Sequence, residues 1–148
     1  YESDTLSHWK CIHKHSQKIY IESFSIFYDS IFLHLRDNGF PKLLKINLTN
    51  YHQRFIQFPL DFYSYSLISN LNPYYHLLNL SYTSYATPRI RYQYNLKTDT
   101  LKTIDTKKIK NYHPNNYVEG YFKIGKIIAT YFYHKDALEA WCEDRCSR

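Results

Sequence analysis

Between Leu77 and Thr106 the chain meets a turn signal before any strand can grow long. Leu78 to Ser84 is rich in β-forming residues, and Thr87-Pro88 then forces an extended break, because the proline ring disfavours helix in the residue before it. Ile90 to Asn95 alternates apolar and polar side chains. At Lys97-Thr98-Asp99-Thr100 hydroxyl and Asp side chains can satisfy local backbone groups, which marks a second tight turn before Leu101 to Thr106. Strands joined this closely make an antiparallel meander, the unit from which propeller blades and sandwiches are assembled.

The preceding half of the chain follows the same rhythm. Trp9 to His13 reads as a short strand and Lys14 to Lys18 as a polar turn. Ile19 to Tyr28 carries bulky residues at nearly every position, the pattern of a strand buried on both faces. Asp29-Ser30 turns the chain into Ile31 to Leu35, and Arg36-Asp37-Asn38-Gly39 is the clearest turn signal, since Asn-Gly tolerates positive φ. Lys42 to Leu48 and Gln53 to Phe58 complete a sheet of four, which Pro59 ends. Tyr63 to Ser69 and the Asn72-Pro73 turn open a second unit, giving two units of roughly 45 residues, the spacing of blade repeats. No helix is expected before Lys135, after which Asp136 to Trp141 could form a short one.

Several of these segments share an order with a known family. Tyr82-Thr83-Ser84-Tyr85-Ala86-Thr87-Pro88, then Tyr92-Gln93-Tyr94-Asn95-Leu96-Lys97-Thr98 and Leu101-Lys102, resembles the last propeller blade of the oligopeptidase B branch of the prolyl oligopeptidase family of serine peptidases. The family pattern there is Tyr-Ser-Ser, two variable residues and Thr-Pro, followed by an apolar strand ending in Asp, an apolar residue and a Thr-Gly turn. Ile19-Tyr20-Ile21-Glu22-Ser23-Phe24 and Phe27 to Leu33 resemble the blade before it, with Gly39-Phe40-Pro41-Lys42-Leu43 at its hairpin. Tyr112-His113-Pro114-Asn115-Asn116-Tyr117 is similar to the Phe-Asp-x-x-x-Tyr link that leads out of the propeller.

The resemblance implies an all-β fold: antiparallel four-stranded blades of an incomplete β-propeller, with a lead-in strand towards an α/β-hydrolase domain that is absent from this chain. Residues 1–111 would be propeller blades, 112–134 the linker and first strand towards the hydrolase domain, and 135–148 a tail that diverges from the family. Two blades and part of a third leave an apolar flank, so the piece is expected to be poorly soluble alone. The function implied is that of a serine peptidase cleaving after Arg or Lys, in which the propeller limits access to short peptides. The partners would be the catalytic hydrolase domain and short basic peptides, with a post-proline enzyme or a non-enzymatic β-sheet interaction module as alternatives.

The chain offers no catalytic residue of its own under this reading. Its glycines are Gly39, Gly120 and Gly125, and none brackets a Ser in the Gly-x-Ser-x-Gly manner of a nucleophile elbow. No catalytic, cofactor-binding or metal site is assigned, and no cofactor is expected. The sharpest rival is a metal site, since Cys11, His13 and His15 alternate and would share one face of a strand with His8 nearby; a polar stretch between strands is favoured, because nothing completes a ligand set. Cys142 and Cys146 lie one helical turn apart if the tail is helical, but read as isolated thiols.

Composition narrows the partners further. The net charge of +6 comes from 19 Lys and Arg spread along the chain, and only Lys107-Lys108-Ile109-Lys110 clusters, so a solvated loop is favoured over a nucleic-acid patch. The 17 tyrosines invite a stacking platform, yet Tyr20, Phe24, Tyr28, Phe32, Tyr63, Tyr65, Tyr82, Tyr92 and Tyr94 fall in apolar strand patterns that favour core packing. Three cysteines suit no disulfide framework, and no apolar run is long enough for a signal peptide or membrane span; a reducing, cytoplasmic setting without a membrane partner is expected. Asn47-Leu48-Thr49 and Asn79-Leu80-Ser81 match the glycosylation triplet but fall in strands or turns.

Overall fold

A computed structural model describes residues 10–68, 75–124 and 127–136. Strands β1 (Ile19–Phe27), β2 (Ser30–Asp37), β3 (Phe40–Asn47) and β4 (Gln53–Ile56) form one sheet, and β5 (Ser64–Leu67), β6 (Leu77–Thr83), β7 (Ile90–Asn95) and β8 (Thr100–Thr106) a second. Each is a four-stranded meander in sequence order with antiparallel neighbours. A 3₁₀ turn (Pro114–Asn116) then leads into β9 (Tyr117–Ile124) and β10 (Ile127–His134), which among the described residues pair only with each other. The chain is thus all-β, in blade-like sheets that do not close into a ring, and residues 112–134 contribute a hairpin rather than a single strand.

Local chemistry explains the turns. Asn38 (φ 50°) and Gly39 (φ 92°) both take the left-handed conformation that a two-residue hairpin loop requires. The third strand of each sheet ends in the same device. Asn47 Oδ1 accepts from the amides of Thr49 (2.9 Å) and Asn50 (3.1 Å), and Asn95 Oδ1 does the same for Lys97 (2.9 Å) and Thr98 (3.3 Å). A left-handed residue follows in both, Tyr51 (φ 57°) and Asp99 (φ 53°). The next amides also correspond: Leu48 donates to the Asp29 carbonyl (2.7 Å) and Leu96 to that of His76 (2.9 Å), tying each hairpin to the start of the second strand. These pairs make the two-unit repeat visible at atomic detail.

The main core lies between the sheets. Phe27, Phe32, Leu43 and Ile56 of the first face Leu78, Leu80, Tyr82, Tyr92 and Tyr94 of the second, with Tyr63 and Leu96 closing the ends. The opposite faces differ in chemistry. On the first sheet Leu33, Leu35, Leu44 and Ile46 form another apolar cluster, which the register extends through Phe24 and Ile26. On the second sheet the corresponding face is polar: Ser66, Ser81, Arg91 and Asp105 line up across the strands, as do Asn79, Gln93 and Lys102.

β1 corrects an expectation. The density of bulky residues in Ile19 to Tyr28 suggested burial on both faces, but Phe24 is 66% and Ile26 61% exposed. An edge strand has a neighbour on one side only, and these side chains point to the face that lacks a second sheet. Tyr28, also expected in the core, occupies the β1–β2 turn. Residues 10–13 form no strand, and the expected Asn72-Pro73 turn and nearly all of the expected helix after Lys135 lie outside the described residues.

One end of the inter-sheet core holds a buried charge. Lys45, 6% exposed, donates to the Leu96 carbonyl and to Asp99 Oδ1, both at 2.7 Å. Tyr94 donates to the same carboxylate oxygen at 2.5 Å, and Arg54 lies 3.7 Å from Oδ2. Burial raises the Asp99 pKa, yet the hydrogen bonds from Lys45 and Tyr94 and the charges of Lys45 and Arg54 outweigh it and hold the carboxyl below its ordinary value.

Three outcomes are expected. Leu80→Ala should destabilise the chain by about 2–5 kcal/mol in urea unfolding, whereas Ser81→Ala on the polar flank should change stability by less than about 0.5 kcal/mol. Asp99→Asn should cost on the order of 3 kcal/mol by leaving Lys45 buried without its counter-charge. Because the folded pKa of Asp99 is depressed, its contribution is present above the unfolded value and lost as pH falls through the folded one; stability of the parent should therefore decline at acidic pH more steeply than that of the variant. Replacing Phe24 and Ile26 together by Glu should shift the chain towards a smaller species in sedimentation velocity.

Candidate functional site

The other end of the inter-sheet interface opens into a cleft of about 400 Å³. Arg36, Gly39 and Pro41 come from the β2–β3 hairpin, Phe62, Tyr63 and Ser64 from the run into β5, Thr83, Ser84 and Tyr85 from the end of β6, and Thr130 from β10. It is therefore walled by both sheets and by the hairpin that follows them. Arg36 is aimed by Glu22, which accepts its Nε–H at 2.8 Å, and by the Gly39 carbonyl. Tyr63 donates to the Pro41 carbonyl at 2.6 Å, and burial pushes its pKa well above the ordinary value, so the hydroxyl stays a donor.

The hairpin is attached at several points. Tyr121 packs against Phe40 (4.9 Å) and Phe62 (4.6 Å), which themselves meet edge-on. Behind this contact Tyr117 stacks on Phe132 and Tyr112. Gly120 faces Tyr131 across the strand pair, and a Cβ there would overlap the tyrosine ring, so glycine is what allows the ring to fold over β9.

A second polar group joins β1 and β2 of the first sheet to β5 of the second. Tyr65 donates to the Lys42 carbonyl (3.3 Å), so its oxygen accepts from His34 Nδ1 (3.0 Å), which leaves Nε2 to accept the Ser25 hydroxyl (3.2 Å). The contact has the outline of a nucleophile and base. Ser25, however, lies inside a regular strand rather than on the sharp strand-to-helix turn that presents a nucleophile. Burial also lowers the His34 pKa, with Glu22 opposing in part, and a weaker base activates a hydroxyl poorly. The group is an inter-sheet clasp.

Residues singled out by their sequence fall elsewhere. Cys11 Sγ donates to the His13 carbonyl and His13 Nδ1 meets Gln53 Oε1 (3.3 Å); among the described residues no three His, Cys, Asp or Glu are grouped to hold a metal ion. His8, Cys142 and Cys146 lie outside the described residues. Asn47 is engaged in its turn and with Asp29, and Asn79 with Gln93. Lys107 to Lys110 form an exposed loop after β8. Of the aromatic set, Phe32, Tyr63, Tyr82, Tyr92 and Tyr94 are core residues and Tyr65 packs against them, while Tyr20, Phe24 and Tyr28 are exposed. Among the described residues, no helix is long and apolar enough to cross a membrane.

With this geometry in hand, known proteins offer a comparison. The profile of the family described as "Prolyl oligopeptidase, N-terminal beta-propeller domain" matches residues 2–107. The fold is similar to oligopeptidase B from Leishmania major, at TM-score 0.71 and 15% identity over 84% of this chain and 20% of that one. It is equally similar to oligopeptidase B from Trypanosoma brucei, solved with covalently bound antipain (TM-score 0.71, 17% identity, 83% and 19%). A post-proline cleaving enzyme from Rickettsia typhi gives TM-score 0.64 at 20% identity over 89% and 20%. The chain spans about a fifth of the length of these structures. No curated protein sequence matches it.

The clasp makes its own prediction. Since the folded pKa of His34 lies below its ordinary value, the unfolded chain binds the proton more tightly, and stability falls as pH drops below about 6.5. The loss of urea resistance between pH 7.5 and 5.5 should be smaller in His34→Gln than in the parent; equal losses would assign the pH dependence to other groups.

Proposed function

The chain belongs to the prolyl oligopeptidase family through that family's N-terminal β-propeller domain, and from this membership we propose that it forms part of the gate of a longer serine peptidase. In this reading the catalytic hydrolase domain is its partner in the same polypeptide. The blades exclude folded proteins and admit short peptides, which that domain cleaves after Arg or Lys. A reducing, cytoplasmic setting belongs to the same proposal, on the strength of the odd cysteine count.

The observation that carries the reading is the junction between sheet and hairpin. The loop after β6, whose Thr-Ser and Thr-Pro residues carry the likeness to oligopeptidase B, bonds directly to β9 and to the link before it. A segment built in this way suits the boundary where a propeller hands the chain on to another domain. It supplies support and access control, and the chemistry is assigned to the partner domain.

The test is the complete gene product, assayed on short fluorogenic peptides ending in Arg, Lys or Pro. The expected result is cleavage after Arg and Lys at least about tenfold faster than after Pro, abolished by a serine-reactive inhibitor. A preference for Pro would move the chain to the post-proline branch. A coding region that ends without a Gly-x-Ser-x-Gly elbow and later Asp and His would overturn the peptidase reading in favour of an interaction module.

A further inference from the structure

The walls of the cleft hold hydrogen-bond donors that nothing in the fold uses. Among the described residues that line it, Arg36 is the only charged one. Its guanidinium is anchored along one edge, with Nε–H donating to Glu22 at 2.8 Å and Nη1 to the Gly39 carbonyl at 3.3 Å, and Nη2 meets no acceptor among the described residues. The Ser64 hydroxyl meets none either. The Tyr85 hydroxyl accepts from Thr130, and its own hydrogen stays uncommitted among the described residues. Acceptors at the walls are by contrast taken: the Gly39 carbonyl by Arg36, the Pro41 carbonyl by Tyr63 and the neighbouring Thr87 carbonyl by Thr83.

A cleft with open donors and occupied acceptors selects a ligand that brings acceptors, and a planar guanidinium fork matches a carboxylate better than a lone oxygen. The rest of the wall is largely apolar, from Pro41 and the rings of Phe62, Tyr63 and Tyr85. Phe62 is held by Phe40 at 4.9 Å and Tyr121 at 4.6 Å, and Tyr63 by its bond to Pro41. This surface therefore exists before a ligand arrives, which lowers the ordering cost of binding. A volume of about 400 Å³ lies near the lower end of ligand pockets, enough for the end of a peptide and too little for a folded chain. A C-terminal residue joins a carboxylate and a side chain on one carbon, which is the pairing these walls offer to receive.

We propose that the cleft binds the C-terminal residue of a short peptide, Arg36 and the Ser64 and Tyr85 hydroxyls holding the carboxylate while Pro41, Phe62 and Tyr63 receive an apolar or aromatic side chain. Glu22 sets the strength of the contact. Its carboxylate orients the guanidinium and also offsets its charge, so the affinity is modest, with a Kd on the order of 1 mM. The subsite is a property of this chain; that the peptide it holds is a substrate of a catalytic domain rests on the peptidase function proposed above.

Amide NMR shifts of the labelled 148-residue chain test this with three probes: N-acetyl-alanyl-phenylalanine as the free acid, the same dipeptide as its C-terminal amide, and phenylpropionate. The free acid should shift the amides of residues 39, 62–64 and 83–85 saturably, and the amide should bind about tenfold more weakly or less. Arg36→Gln should weaken the free acid by about tenfold, and Tyr85→Phe, which keeps the ring, by about threefold. Glu22→Gln still accepts from Arg36 Nε but removes the opposing charge, so it should tighten binding about twofold, a gain that a purely structural ion pair would not give. Absence of saturable shifts at the cleft, equal affinity for acid and amide, or undiminished binding by Arg36→Gln would overturn the subsite. Phenylpropionate binding as tightly as the dipeptide acid would overturn the peptide assignment in favour of a small organic acid. The titration needs no peptidase activity, so an inactive gene product would refute the peptidase function and leave the subsite standing.

Discussion

The structure depends on Phe58. It lies in the connection between the two sheets, and its ring meets Tyr63 (4.8 Å), Tyr82 (5.4 Å), Tyr65 (5.7 Å) and Tyr92 (6.2 Å). One side chain from the crossover thus fills the space between the first sheet and three strands of the second. Neither sheet could bury its inner face without the other, because a meander of four strands has no interior of its own. Aromatic rings fit this space well, since each covers a large area with few rotatable bonds, and the tyrosine hydroxyls reach carbonyls at the rim.

The interface is finished differently at its two ends, and that difference places the chemistry. At the Lys45 end a buried ammonium satisfies a carbonyl and a carboxylate contributed by the opposing hairpin, which fixes how the sheets are registered. At the Tyr63 end the sheets part, leaving the cleft that β10 helps to wall. The cleft end is covered by the hairpin through aromatic and carboxylate contacts rather than by a buried charge pair. The His34 clasp joins β1 and β2 to β5, with the Tyr65 ring stacked 5.5 Å from the imidazole.

The flanks carry a second asymmetry. One outer face is apolar and continues through exposed Phe24 and Ile26, whereas the other presents Arg91, Gln93, Lys102 and their cross-strand partners to water. For a member of a propeller family this gives the pair of sheets a direction. The apolar flank suits another blade packed face to face, and the polar flank does not.

Much of this was legible in the order of residues. Asn38-Gly39, Asn47 and Asn95 act on amides within a few positions, so local spacing suffices to place turns and count strands. The succession of Tyr-Thr-Ser, Thr-Pro and the later Tyr link carried the family for the same reason. What a linear reading could not supply was which side of each strand has a neighbour: β1 resembles a doubly buried strand because Tyr20, Ile21, Phe24 and Ile26 are all bulky, yet burial depends on a sheet being present opposite them. Lys45 with Asp99 and Ser84 with Glu119 were equally hidden, for each residue is unremarkable alone and acquires its role when distant strands bring the partners within 3 Å. Local hydrogen bonding is written into neighbouring residues, whereas burial and charge pairing belong to the packed sheets.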